Sequence, residues 1–208
     1  RRHSFPTRRS SDLQPQIASG WGAPLPTPAQ PIAAASDIFT LIERLSELHQ
    51  RGLLDAMTDP TVETVVVKKS ARVGFTKCLN NLIGYHIHQD PCSILLAQPT
   101  EADAEGYSKD EIGPMIRDTP VLRRRFPDPG KRDGGNTILH KLFPGGQLRL
   151  VGADSPRGFR RVSMRVVAFD EVDGYAQTAG EEGDQLKLGI MRALYFWNRK
   201  ILMGSTPD

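Results

Sequence analysis

The chain has 208 residues and a formal net charge of +3. Arg1, Arg2, Arg8, Arg9 and Asp12 account for all of that excess, so the remainder is formally neutral. A sequence pI near 9.0 therefore does not argue for nucleic-acid binding, and any DNA contact has to come from local patches. No run of ~18 consecutive apolar residues occurs and no secretory signal is recognisable, which argues against a membrane protein. The two cysteines, Cys78 and Cys92, fit no metal or redox spacing. His86 and His88 stand two residues apart and cannot share a helical face, which argues against a metal site there.

From the N-terminus, His3 to Leu13 resembles the translation of a sequencing adapter and carries no hydrophobic period. Gln14 to Ala35 is rich in Pro, Ala and Gly and reads as linker or misframed sequence, with little order expected. The segment 1–35 is set aside on these grounds, and 36–208 suits one domain. Ser36 to Leu48 has the pattern of an amphipathic helix capped by Ser36 or Asp37. His49-Gln50-Arg51 follows, then Leu53 to Met57.

Val62 to Val67 is β-branched and apolar, which predicts a buried parallel strand. Leu79, Leu82, Ile83 and Ile87 then recur at helical spacing, up to a stop at Asp90-Pro91. Between strand and helix lies a short polar turn. Strand, turn and helix make the P-loop arrangement, in which backbone N–H groups and a helix N-terminus cradle phosphates. The pattern G-x-x-x-x-G-K-[ST] fits imperfectly. Lys69 stands in the first glycine's place, Gly74 fits the second glycine, Phe75 replaces the lysine, and Thr76 fits the hydroxyl that would hold Mg²⁺. The bland reading is an ordinary strand–turn–helix.

Ser93 to Gln98 predicts a second strand. Thr100 then caps a helix with Asp103 in the capping-box position, and Gly113-Pro114 is expected to break that helix. Val121 to Asp133 reads as a Pro- and Arg-rich loop, either touching phosphates or simply solvated. Asn136 to Phe143 and Gln147 to Gly152 read as a hairpin around Pro144-Gly145-Gly146. A loop dense in arginine, with Arg157, Arg160 and Arg161, leads into Met164 to Asp170. That apolar strand ends in Asp170-Glu171, at the sheet edge where ligands of open α/β sheets bind. An aspartate there can take Mg²⁺ and the next glutamate can polarise water; the bland reading is a solvated strand end. Asp173 to Asp184 is an acidic loop, Asp184 to Phe196 is helical, and Lys200 to Ser205 is the last strand, running into Thr206 and Pro207.

Five stretches together carry a resemblance: Lys-Ser-Ala-Arg-Val-Gly-Phe-Thr (69–76), Gln98-Pro-Thr100, Phe169-Asp-Glu-Val-Asp173, Phe196-Trp-Asn-Arg-Lys200 and Gly204-Ser-Thr-Pro207. In this order they resemble the ATPase domain of the large terminase subunit of lambda-like tailed phages, over roughly Gln50 to Asp208. The resemblance implies a three-layer α/β P-loop NTPase fold with a mostly parallel sheet. It implies ATP and Mg²⁺ as cofactors, held by Lys69, Ser70, Ala71, Arg72, Val73, Gly74, Phe75, Thr76 and Lys77, with Thr76 and Asp170 on the metal. Asp170 and Glu171 would be catalytic, and Arg157, Arg160 or Arg161 an arginine finger, or else DNA-phosphate contacts or plain surface charge. Thr206 would face the nucleotide. Gln50 would lie near the adenine, or be a surface glutamine.

The usual lysine slot holds Phe75, so Lys68, Lys69 and Lys77 compete for the phosphates. Lys77 is expected to point along its helix toward solvent or the adenine side. Family members with a displaced lysine and an aromatic in the usual slot favour Lys69. The implied function is a motor that drives double-stranded DNA into a preformed capsid. It would work in the host bacterial cytoplasm with a small terminase subunit and the portal, as a homo-oligomeric ring. The resemblance places the family's nuclease half C-terminal to the stretch matched here, and no DNA cutting is expected of this polypeptide. A helicase-like nucleic-acid ATPase and a degenerate partner-binding module are the alternatives.

Overall fold

The computed structural model describes residues 50–70, 73–126, 136–159, 163–175 and 184–206, with Pro156 and Arg157 described by backbone alone. The segments 3–13, 14–35 and 36–48, and with them the boundary between 1–35 and 36–208, lie outside the described residues. So does most of the acidic loop 173–184.

Six described strands form one sheet: β1 (Thr64–Lys68), β2 (Ile94–Gln98), β3 (His140–Phe143), β4 (Gly146–Gly152), β5 (Val166–Phe169) and β6 (Lys200–Ser205), in the order β1-β6-β5-β2-β4-β3. All neighbours pair in parallel except β3 with β4, the expected hairpin. Side chains alternate across a strand, and the two faces feed two cores. Ile94, Leu96, Val166, Ala168 and Leu202 face a helical layer built from α1 (residues 50–58), α2 (Phe75–His88), α3 (Glu101–Tyr107), α4 (Gly113–Asp118) and α5 (Pro120–Arg123). Leu95, Ala97, Val167, Phe169 and Ile201 face the other way, onto α6 (Gln185–Ala193) and Phe159. These are the three layers. Each fully buried Leu or Ile contributes roughly 1.5–3 kcal/mol of transfer free energy.

β2 is buried at every residue because it lies inside the sheet with both faces covered. β1 does not follow the expected pattern. It alternates exposed and half-buried, with Val65 and Val67 against the helical layer and Val66 71% exposed. Its apolar run looks like a central strand, but among the described strands it sits at the sheet edge with one face uncovered.

The helix after β2 also departs from expectation. Thr100 and Asp103 form the reciprocal capping box, at 3.1 and 3.2 Å. The helix then passes through Gly113-Pro114 instead of ending there. A proline ring strikes the carbonyl four residues back in an α-helix. Here a π turn, Ser108–Ile112, widens the spiral, and the Gly113 N–H donates to the Ser108 carbonyl five residues back. The break comes later, at Thr119, which is extended before Pro120. Part of the loop expected from Val121 is therefore helix α5, anchored by buried Leu122.

His86, near the end of α2, is buried beside Arg165 and Asp90. Its Nδ1 lies 3.2 Å from Arg165 Nη2, and Arg165 also donates to the Asp90 carboxylate. Burial first, and the Arg165 charge after it, pull the imidazole down to about 4. The folded chain therefore prefers the neutral ring, while the unfolded chain protonates near pH 6.5. Stability from this group is fully present above pH 6.5 and is lost as the pH falls toward 4, by about 3 kcal/mol in all. Urea unfolding of the parent and of His86→Met should converge across this window. Curves that stay parallel between pH 7 and 4 would remove the assignment.

Candidate functional site

The C-terminal ends of β1, β6 and β5 bring the candidate residues together, at the edge where open α/β sheets bind ligands. Past β1, the Lys69 N–H donates to the Ser205 carbonyl at 2.9 Å, which keeps the chain against β6 for one more residue. The turn then closes at Gly74, in the left-handed region at φ 79, immediately before α2. A side chain at Gly74 would be strained by that φ, and its Cβ would also collide with the Gln50 amide nitrogen. Gln50, on α1, donates to the Val73 carbonyl at 3.3 Å and so lies against the turn. The first turn of α2 holds no acid and no side-chain cap, which leaves its N-terminus favourable for an anion.

β6 lies between β1 and β5, and this order sets the spacing of the chemistry. Lys69 Nζ donates to Glu171 Oε1 at 2.6 Å and to Thr206 Oγ1 at 3.2 Å, and sits 3.9 Å from Asp170 Oδ1. The lysine side chain is 9% exposed and that of Glu171 45%. The sequence places both acids at an exposed edge, but Asp170 is buried and only Glu171 faces outward. Asp170 Oδ2 accepts from Gln98 Nε2 at 3.3 Å, and Oδ1 accepts the Glu171 N–H at 3.0 Å. Burial pushes the Asp170 carboxyl above its usual range, against the opposing pull of Gln98 and Lys69. Glu171 has φ 49 and ψ 53, the only non-glycine with positive φ among the described residues. Such strain persists where the surroundings enforce it, and here the Glu171 N–H is held by Asp170 Oδ1, its carbonyl by the Gly174 N–H and its carboxylate by Lys69.

Phe75, a residue only 4% exposed, stands in the usual lysine slot. Lys69 Nζ lies 5.0 Å from its centroid. Lys77 is elsewhere: 69% exposed and paired at 2.7 Å with Glu111 of the π turn. Thr76 is half-buried in the first turn of α2, with its carbonyl 3.5 Å from the Tyr107 hydroxyl. Ser70 is exposed to the turn between strand and helix. Ala71, Arg72, Arg160 and Arg161 lie outside the described residues, and Arg157 is described only as backbone of a 3₁₀ turn, Pro156–Phe159.

Sequence reasoning gave no role to Gln98, Asn80, Tyr107 or Glu111. Asn80 donates to Glu111 at 2.6 Å and accepts from the Tyr107 hydroxyl at 2.7 Å, which ties the start of α2 to the π turn. Burial, and then the Asp170 charge, raise the Tyr107 phenol above its ordinary range. The available signal was Gln98, an amide ending a strand that is otherwise wholly apolar.

A parallel strand leading through a short connection into a helix at Gly74, beside a strand end bearing two acids, is the arrangement of the P-loop NTPase class. Within that class, the family model described as phage terminase large subunit gpA, ATPase domain, matches residues 48–208. The chain belongs to this family. It is similar to the terminase large subunits of Escherichia phage lambda and Enterobacteria phage P21, each 33% identical over 159 residues. The match covers 76% of this chain and 25% of each relative, so the chain spans about a quarter of their length. Among solved structures, the HK97 bacteriophage large terminase superposes with TM-score 0.56 at 14% identity, over 76% of this chain and 32% of that one. The large terminase of a thermophilic bacteriophage gives 0.54 at 15%, over 76% and 38%. At such identity the likeness carries the fold alone. No helix among the described residues is long and apolar enough to cross a membrane.

Proposed function

We propose that the chain is the ATP-hydrolysing motor domain of a DNA-packaging terminase. The observation that carries this reading is Lys69, at the end of the P-loop strand, held 2.6 Å from Glu171 and 3.9 Å from Asp170. A cation and two acids at one turn can bind a phosphate chain, hold a divalent ion and orient water. The same thermophilic-phage terminase has also been solved in a form described as a complex with ADP (TM-score 0.51, 15% identity, over 76% of this chain and 38% of that one).

In this reading Lys69 binds phosphate oxygens, with the Val73–Gly74 turn and the N-terminus of α2 as the cradle. Gln50 borders the turn on the adenine side, and Thr206 donates or accepts beside the terminal phosphate. Asp170 and Thr76 supply hard oxygen ligands and would hold Mg²⁺. The buried Asp170 carboxylate fits a cation, since its charge is only partly compensated by Gln98 and Lys69. Mg²⁺ would neutralise charge on the phosphates during transfer. Glu171 takes the proton of the attacking water. Lys77 is assigned to Glu111 and the stiffness of the turn, and an arginine of the 157–161 segment remains the proposed finger. Double-stranded DNA, a small terminase subunit and the portal are the proposed partners, in a ring formed in the host cytoplasm.

The experiment is ATP turnover by the purified chain with Mg²⁺, alone and with double-stranded DNA and portal. Turnover that rises with portal supports the motor. Turnover that responds to DNA and ignores portal points to a helicase-like ATPase. Nucleotide binding without turnover under every condition points to a partner-binding module.

A further inference from the structure

Phe75 occupies the slot where the consensus has its phosphate lysine, and the space around the ring is closely fitted. It opens α2, turns inward, and meets β6 at Gly204, where an added Cβ would collide with three ring carbons. Gly204 pairs in register with Val67 of β1, so the ring is seated on the strand pair that delivers Lys69. The Lys69 ammonium stands over the ring, 5.0 Å from its centroid. The same ammonium touches Glu171 and Thr206 at hydrogen-bonding distance.

We propose that Phe75 is a positioning residue for Lys69: its ring takes the slot of the missing lysine and holds the displaced one toward the acidic pair and the phosphate cradle. This deepens the nucleotide-site reading and rests on it. An aromatic face attracts a cation without consuming a hydrogen-bond donor. It also adds no full negative charge, which a carboxylate in that slot would turn against the incoming phosphates. Lys69 therefore keeps N–H donors for exchange between Glu171 and a phosphate, while the ring excludes water from one side and restricts the rotamers of a flexible stem. Glycine at 204 follows from the same arrangement, because any larger residue would push the ring off its seat.

The test compares the parent with Phe75→Leu, Phe75→Tyr and Gly204→Ala in the 208-residue chain, with Phe75→Met as a second ringless variant should the Leu variant not fold. The first readout needs no turnover. In isotope-labelled-lysine spectra of nucleotide-free protein, assigned with Lys69→Arg, the Lys69 side-chain protons should be shifted upfield by the ring in the parent and in Phe75→Tyr. That shift should vanish in Phe75→Leu and shrink in Gly204→Ala. The second readout is kinetic: kcat of Phe75→Leu should fall about tenfold, the scale of a desolvated cation–π contact, with KM for ATP changed less than about threefold, while Phe75→Tyr stays near the parent. A folded ringless variant with the Lys69 resonance unmoved, or with parental kcat in an active parent, overturns the proposal. If the parent turns over no ATP, alone or with DNA and portal, the ATP-hydrolysing reading fails, and the resonance alone still decides whether the ring positions Lys69.

Discussion

Glu171→Gln is expected to retain nucleotide and lose turnover by ~10²–10⁴, the scale of a removed general base. The amide keeps the size of the side chain and its place at the end of β5, but it cannot take a proton from water. It also releases Lys69 from a charged partner at 2.6 Å. The free enzyme then loses an ion pair that a phosphate would otherwise have to displace, so nucleotide affinity should hold or rise. The combination of undiminished binding and lost turnover separates a base from a binding residue. Equilibrium binding of a fluorescent ADP analogue together with single-turnover hydrolysis measures both. Parental turnover in this variant would end the assignment.

Lys69→Ala should be nearly as severe, at ~10²–10³ in turnover, comparable to the loss of one preorganised donor at a site of developing charge. Here binding should fall as well, because the removed group carries charge to the phosphates. The variant leaves Glu171 in a left-handed conformation with no cation to hold it, and leaves Asp170 buried with less compensation. The double variant Lys69→Ala, Glu171→Gln should therefore cost much less than the product of the single losses, since the two residues act as one unit. Full activity in Lys69→Ala would move the phosphate role elsewhere. Lys77 is then the residue to examine, and its pairing with Glu111 makes it the weaker candidate.

Most strands of the fold were legible because their apolar runs are short and bounded by turns. β2 and β5 read correctly to within one or two residues for that reason. β1 read correctly as a strand and wrongly as a buried one, since periodicity reports the residues a strand offers and not the neighbours it finds. The passage through Pro114 was not legible. A π turn is a response of the whole helix to its packing, and nothing in the local sequence marks it. In the site, the acidic pair and the turn were readable as motifs. The proposed preference for Lys69 over Lys77 rests on family resemblance and on the contacts seen in the fold, where Lys69 lies beside both acids and Lys77 pairs with Glu111. Gln98 belongs to a stretch that carries the resemblance but had no role of its own, and Tyr107 reaches the site from an element read only for its local structure.

The end of β6 has a mechanical consequence. Ser205 accepts the Lys69 N–H on its carbonyl and the Asp173 N–H, at 3.0 Å, on its hydroxyl. One residue thus fastens the entrance of the phosphate turn to the segment just past the acids. β6 runs parallel to both neighbours, so tension drawn along it loads both ladders in shear, across five residue pairs with β1 and four with β5, and cannot open them one bond at a time. A pull on the chain beyond Thr206 would reach Lys69 and the turn after Glu171 together, as a displacement of one clamp and not of two separate loops.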